Sequence, residues 1–284
     1  MKQVARCVML CSLLLTTACS VNHEKTVDLN PDTPEVMMEQ ETASPEWTDK
    51  AVSTNSIPLI DEELADDDQQ ELKKIKKPLI CIEAGHQEKA NLDMEPTAPG
   101  SKTMKEKVRG GTQGVQTKKP EYQLNLEVAT KLEIALAEDF AIIMVRQTND
   151  VDISNSERAM ICNDVQADVM IRLHADGSDN SQVKGMTFFY PSIENKHTGP
   201  IAERSKDIVE VVAKKIISET GAKSRGIQAR GDLTGFNWLK VPSILIEMGF
   251  MTNKEEDILL SGSEYQDKIV AGIKNGLKAY YFQK

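Results

Sequence analysis

From residue 78 onward, short apolar runs alternate with longer segments of helical period, and this alternation limits the chain more than any other feature. Residues 78–82 (PLICI) have the length and content of a buried strand. Residues 92–114 are rich in Gly, Pro, Thr and Lys and read as a loop. Leu124, Val128, Leu132 and Leu136 then recur at helical spacing within 122–139. Further strands are expected at 141–145, 169–173, 186–190 and 243–246. Helices are expected at 156–165, started near Ser154 or Asn155, at 201–220, stopped by Gly221, and at 265–281. Strands alternating with helices predict an α/β fold: one domain with a twisted, mostly parallel sheet flanked by helices on both faces.

What precedes this domain has a different texture. Residues 1–19 combine Lys2 and Arg6, a short apolar run at 8–15, and Thr16-Thr17-Ala18 before Cys19. That is the pattern of an export signal, and its ending is similar to a bacterial lipobox in which Cys19 is lipidated, although Thr16 stands where an aliphatic residue is usual. Simple secretion into the medium or periplasm, or an uncleaved anchor, is the alternative. Residues 20–77 are rich in Pro, Ser, Thr, Asp and Glu without an apolar period, so a disordered acidic tether is expected. The chain of 284 residues carries a formal net charge of −10, unevenly placed. Fifteen of its 44 acidic residues lie between 20 and 71; without them, and without the four basic residues before 72, 29 acidic face 30 basic residues over 72–284. The domain is therefore near neutral, and no nucleic-acid partner is expected, since that would need a basic face.

Three of the expected strands run into chemically useful residues. The first is followed by Glu83-Ala84-Gly85-His86, that at 169–173 by His174-Ala175-Asp176, and that at 243–246 by Glu247-Met248-Gly249-Phe250. Ligands of open α/β sheets bind beyond the carboxyl ends of strands. If these strands are neighbours, His86, His174 and Glu247 converge on one cleft, and Glu121 opens the first strong helix directly after the Gly-rich loop. Two neutral imidazoles and a carboxylate are a usual zinc set with one position left for water, whose proton a further carboxylate, Glu247, would take. A lone histidine after a strand is commonly structural, so His86 and His174 count only together. His23 lies in the tether and His197 in a polar turn. Cys81 and Cys162 are expected as buried thiols acting as small hydrophobes; a disulfide suits an oxidising compartment, but two positions do not establish it.

Over residues 78–282 these blocks resemble the zinc-dependent N-acetylmuramoyl-L-alanine amidases of the Amidase_3 type. Residues 82–86 (IEAGH) resemble the family's first zinc block, usually Asp-Pro-Gly-His. Residues 120–126 (PEYQLNL) resemble the block of the ligand glutamate, 172–176 (RLHAD) that of the second histidine, and 246–253 (IEMGFMTN) the closing signature with its catalytic glutamate. The resemblance implies one Zn2+ per domain, held by His86, Glu121 and His174, with Glu247 as acid/base. It implies hydrolysis of the amide between N-acetylmuramic acid and L-alanine in peptidoglycan. Glu83-Ala84 replaces Asp-Pro, so Glu83 is expected either to accept the second ring N–H of His86 on a longer side chain or to be a surface carboxylate. Asp176 is expected to cap a loop. Arg146, Arg158 and Asn163 also match family positions, and Arg158 is expected to tie a helix to the sheet. Residues 232–238 form a turn that could make a lip of the cleft, with Asn237 and Trp238 meeting sugar or peptide or packing under the loop. Between His86 and Glu121 no helical insertion of the plugging type is expected.

The domain division is thus 1–19 signal, 20–77 tether and 78–284 catalytic domain. The expected partners are peptidoglycan and, through Cys19, the membrane; the sequence leaves open an unidentified protein activator, the stem-peptide preference and the physiological role. A zinc peptidase acting on stem peptides would use the same metal chemistry, and a catalytically silent wall-binding protein is a third reading. No His-Glu-x-x-His, Gly-x-Ser-x-Gly or P-loop motif competes.

Overall fold

A computed structural model describes residues 77–283; the expectations for the signal, Cys19 and the tether fall outside the described residues. Among the described residues eight strands occur: β1 (Leu79–Ala84), β2 (Asn91–Pro96), β3 (Met104–Val108), β4 (Ala141–Met144), β5 (Val169–Asp176), β6 (Met186–Pro191), β7 (Ser224–Arg230) and β8 (Ser243–Phe250). The helices are α1 (Glu121–Leu136), α2 (Asn155–Asp164), α3 (Gly199–Thr220), the single turn α4 (Thr234–Asn237), α5 (Lys254–Ser261) and α6 (Ser263–Phe282). Six strands form one sheet in the order β4-β1-β5-β8-β6-β7. Every pairing in it is parallel except β6 against β8. The α/β class with a mostly parallel, helix-covered sheet is therefore what the alternation of patterns implied. Among the described residues, no helix is long and apolar enough to cross a membrane.

The central strands are apolar on both faces because both are covered. Ile80, Ile82, Leu173 and Ile246 pack with α1, α3 and α6 in the larger core. Cys81, Met170 and Leu245 face the other way, against Cys162 of α2 and Phe236 of α4. Each such side chain, once fully buried, contributes about 1.5–3 kcal/mol relative to exposure. Helix α2 starts with a capping box: Ser154 accepts from the Glu157 N–H while the Glu157 carboxylate accepts from the Ser154 N–H.

Three expectations are corrected. Cys81 and Cys162 are not separate thiols but a disulfide that fastens β1 to α2 across 81 residues of chain. The segment read as a loop at 92–114 contains the antiparallel hairpin β2–β3, whose side chains are largely exposed and so carry no apolar alternation. Strand β7 and helix α5 were also not anticipated. Strand β7 is a mostly exposed edge strand of polar residues, held by β6 rather than by burial.

Candidate metal centre

The parallel register sets the site. Strand β5 lies between β1 and β8, with Ala84 beside Leu173 and His174 beside Glu247, so the carboxyl ends of all three strands meet. Residues 172 and 174 share one face of β5, and 245 and 247 share one face of β8 (period two), the face on which α2 packs. Glu121 arrives from the opposite layer as the first residue of α1, where the helix N-terminus favours a carboxylate. Its N–H donates to the Thr112 carbonyl, which fixes the end of the Gly-rich segment. Its Oε2 accepts from the Thr112 N–H at 2.9 Å, and Oε1 accepts from the Ala175 N–H at 3.1 Å and from Asn125 Nδ2 at 3.2 Å.

His86, Glu121 and His174 each offer an atom within 4.8 Å of the other two. His86 Nε2 and His174 Nδ1 both stand 3.2 Å from Glu121 Oε1. His86 Nδ1 is 2.8 Å from the Arg109 carbonyl, which can only accept, so this nitrogen carries the proton and the Nε2 lone pair faces the Glu121 oxygen. Two acceptors at that separation require a cation or a proton between them. Ligands around a tetrahedral zinc at about 2.1 Å lie roughly 3.4 Å apart, so the donor types and the two 3.2 Å separations to Glu121 fit that ion. Gly85 permits the arrangement, because a Cβ there would overlap the His174 ring.

The electrostatics point the same way. Burial lowers the affinity of His174 for a proton, but its hydrogen bond to Glu121 and the charge of Glu83 outweigh it and lift the imidazole to about 9. Burial likewise raises Glu121, yet the hydrogen bond from His174 holds it well below the usual carboxylate range. The pocket therefore favours positive charge. Glu247 has the opposite character: burial, opposed by His174 but reinforced by the charges of Glu121 and Asp176, pushes it up to about 8. Its Oε2 is buried without a hydrogen-bond partner.

Glu83 is neither a surface carboxylate nor the partner of His86. It is 1% exposed, held by Arg158 at 2.9 Å and Arg172 at 2.8 Å, and its Oε2 lies 3.7 Å from His174 Nε2, an ion-pair distance beyond hydrogen-bond range. Burial raises its carboxyl, but Arg172, His174 and Arg158 together hold it well below the ordinary range. Arg158 and Arg146 pin the turn carrying His86: Arg158 donates to the carbonyls of Ala84 and His86, and Arg146 to those of Ala84 and Gly85. Asp176 does cap its own loop, accepting from the Gly177 N–H.

Asn237 and Trp238 do not line the cleft. Asn237 Nδ2 donates to the Thr97 carbonyl and Trp238 Nε1 to the Pro96 carbonyl, so both fasten the β2–β3 hairpin to the domain. The hairpin, not a helix, forms one wall of the cleft through Met94, Met104 and Lys105. The cleft measures about 600 Å³ and has Arg172, His174 and Glu247 among its lining. Three buried acids escaped the sequence reading. Glu95 accepts from the first N–H groups of α2, Glu256 from Gly185 and Phe250, and Asp257 from Gln116 and Thr117. Each satisfies backbone donors of another element or turn, and nothing local in the sequence marks them.

A model of the family described as N-acetylmuramoyl-L-alanine amidase matches residues 80–279. The chain is 27% identical over 161 residues to the N-acetylmuramoyl-L-alanine amidase LytC of Bacillus subtilis strain 168, covering 57% of this chain but only 31% of that protein. The chain thus spans about a third of the length of that relative. Among solved structures, the N-acetylmuramoyl-L-alanine amidase from Clostridium difficile 630 superposes with a TM-score of 0.60 at 26% identity, covering 74% of this chain and 99% of that one. The fold is also that of Ami1 from Mycobacterium smegmatis, with a TM-score of 0.64 at 22% identity over 72% of this chain and 97% of that one. With the family model covering most of the chain and the His–Glu–His cluster lying at the carboxyl ends of its strands, this protein belongs to the N-acetylmuramoyl-L-alanine amidase family.

Proposed function

We propose that the chain is a zinc-dependent hydrolase that cleaves the amide between the lactyl group of N-acetylmuramic acid and the first L-alanine of the peptidoglycan stem. The observation carrying this reading is the meeting of His86, Glu121 and His174 in one cleft with a buried, unpartnered Glu247 carboxylate on the neighbouring strand. His86, Glu121 and His174 would hold the ion. Zinc, when bound, supplies Lewis acidity at the scissile carbonyl and makes water a stronger acid. Glu247 Oε2 takes the attacking water's proton and delivers it to the leaving amide nitrogen. Burial and the neighbouring carboxylates raise the proton affinity of Glu247 in the metal-free site, while a bound dication would favour its ionised, proton-accepting form. The Arg109 carbonyl keeps His86 in the tautomer whose Nε2 is free to coordinate.

Residues 78–284 would form the catalytic domain, carried by the 20–77 tether from a signal at 1–19 and anchored outside the cytoplasm through a lipidated Cys19. The Cys81–Cys162 disulfide supports an oxidising, extracytoplasmic setting. The test is digestion of purified wall with product analysis by mass spectrometry. The expected products are free stem peptides with an N-terminal alanine and intact glycan, lost on chelation and restored by zinc. Glu247→Ala should keep its zinc and lose roughly 10²–10⁴-fold in kcat. Shortened stems would identify a peptidase instead, and absence of both cleavage and zinc a wall-binding protein.

A further inference from the structure

The floor of the cleft holds a cation that the proposed hydrolysis does not use. Arg172 is 3% exposed yet lines the cleft two residues before His174 on the same face of β5. Its Nε donates to Glu83 Oε2 at 2.8 Å, and among the described residues its Nη1 and Nη2 have no protein acceptor. One flank rests on the Phe236 ring, 5.7 Å from the centroid. Gly235 makes room for the head group: a Cβ there would strike Nη1. The guanidinium is therefore fixed in place at the wall of the cleft, with two donor nitrogens left without a protein acceptor among the described residues.

Its ion pair offsets its charge only in part, and Glu247 is the other anion in reach. Glu83 is shared between Arg158 and Arg172, so this buried group of three carries one net positive charge. The other cations of the cleft are satisfied locally. Arg230 is paired twice with Asp232, Arg109 with Glu106, and Lys105 Nζ donates to the Asp232 carbonyl. A planar donor pair of this kind suits a carboxylate, which it can bind through both oxygens.

Reach decides which carboxylate. Glu83 Oε2 stands 2.8 Å from Arg172 Nε and 3.7 Å from His174 Nε2, so the guanidinium comes within about 6.5 Å of the imidazole at the reacting end. In an extended muramoyl peptide, the α-carboxyl of the second stem residue lies roughly 7 Å from the lactyl carbonyl carbon: one amide link, one 3.8 Å Cα–Cα step and one further bond. We propose that Arg172 is a specificity-determining residue that binds a free α-carboxylate on the second residue of the stem peptide, so that the enzyme prefers acidic stems to those amidated at that position. This rests on the amidase reading above, because the reach is measured from the scissile bond.

The experiment uses the full chain with N-acetylmuramoyl-L-alanyl-D-glutamate and its α-carboxamide, which differ only in that group. Binding of both is measured by calorimetry to zinc-loaded Glu247→Gln, and cleavage of both by the unmodified enzyme. The carboxylate ligand should bind and be cleaved (as kcat/KM) roughly 10–100-fold better than the carboxamide, the range of one charge-assisted contact. Arg172→Lys should keep part of that ratio and Arg172→Gln should bring it near one, mainly through KM, with zinc content retained. Equal binding and equal cleavage of the two ligands by unmodified Arg172 would overturn the assignment while leaving the amidase standing. A ratio that survives in Arg172→Gln would also overturn it, assigning the preference to another group. Failure to cleave either ligand or wall peptidoglycan, with neither ligand bound, would remove both readings together.

Discussion

Arg158 Nη1 lies 2.9 Å from Glu83 Oε1, with both side chains 1% exposed, and through this pair a helix holds the loop that carries His86. Arg158 donates five hydrogen bonds, to Glu83, Gln87 and the carbonyls of Ala84, His86 and Ile153. Arg158→Ala would leave Glu83 and three carbonyls with lost donors in the interior. Breaking one side of a buried charge pair costs about 3–5 kcal/mol. The expected result is a lowered urea midpoint, with weaker zinc binding because the His86 carbonyl is released. A variant with unchanged midpoint would show that the cluster relaxes without cost.

The metal-free domain should lose stability as pH rises from about 5 to 9. His174, raised from 6.5 to about 9, contributes stability fully present below 6.5 and lost as pH climbs through 9. Glu247, raised from 4.5 to about 8, stays protonated in the fold while the unfolded chain ionises, so the native state also loses ground between those values. Zinc should reverse the trend, since it takes the imidazole's proton site and binds better as protons leave. Urea midpoints in chelator and in excess zinc, across this range, should diverge with rising pH. Glu247→Gln should flatten the metal-free curve below pH 8. A gap between the two curves that is independent of pH would contradict the assignment of these groups to the ion.

Joining Cys81 to Cys162 closes a loop with a sequence separation of 81, worth about 4.5 kcal/mol in loop-closure entropy. Cys162→Ser, or reduction under denaturing conditions followed by alkylation, should lower the denaturation midpoint accordingly. Peptide mapping without reductant should recover the linked pair. Two free thiols in protein exported by its own host would refute the pairing.

Hairpin β2–β3 is held to the domain by side-chain hydrogen bonds rather than by apolar burial, with Asn237 and Trp238 holding its turn end, so mild substitution there should loosen that end. Trp238→Phe removes the bond to the Pro96 carbonyl and should cost about 1 kcal/mol; Asn237→Ala strands the Thr97 carbonyl and Asn195 amide and should cost about 1–3 kcal/mol. Both should speed proteolysis within 97–103 and raise KM while zinc content stays level. Unaltered cleavage within the hairpin would show that it is held by other means.

The sequence by itself determined the layered α/β sheet, because each apolar run or helical stripe states locally which face must be buried. It also brought His86, His174 and Glu247 to the carboxyl ends of strands, although only His86 lies past its own: β5 runs on through His174 to Asp176 and β8 through Glu247 to Phe250, because pairing with a neighbouring strand rather than apolar content sets where a strand stops. Tertiary structure decided what depends on partners far along the chain. Glu83 serves His174 and two arginines from α2 and β5, not the histidine three residues away, because its side chain follows Cys81 to the α2 face. Asn237 and Trp238 hold the hairpin rather than the cleft, and Cys81 meets Cys162, through packing between segments distant in sequence. Burial is written in local periodicity; pairing across eighty or more residues is not, and every correction made to this chain was a matter of pairing or of an element whose exposed residues needed none of that periodicity.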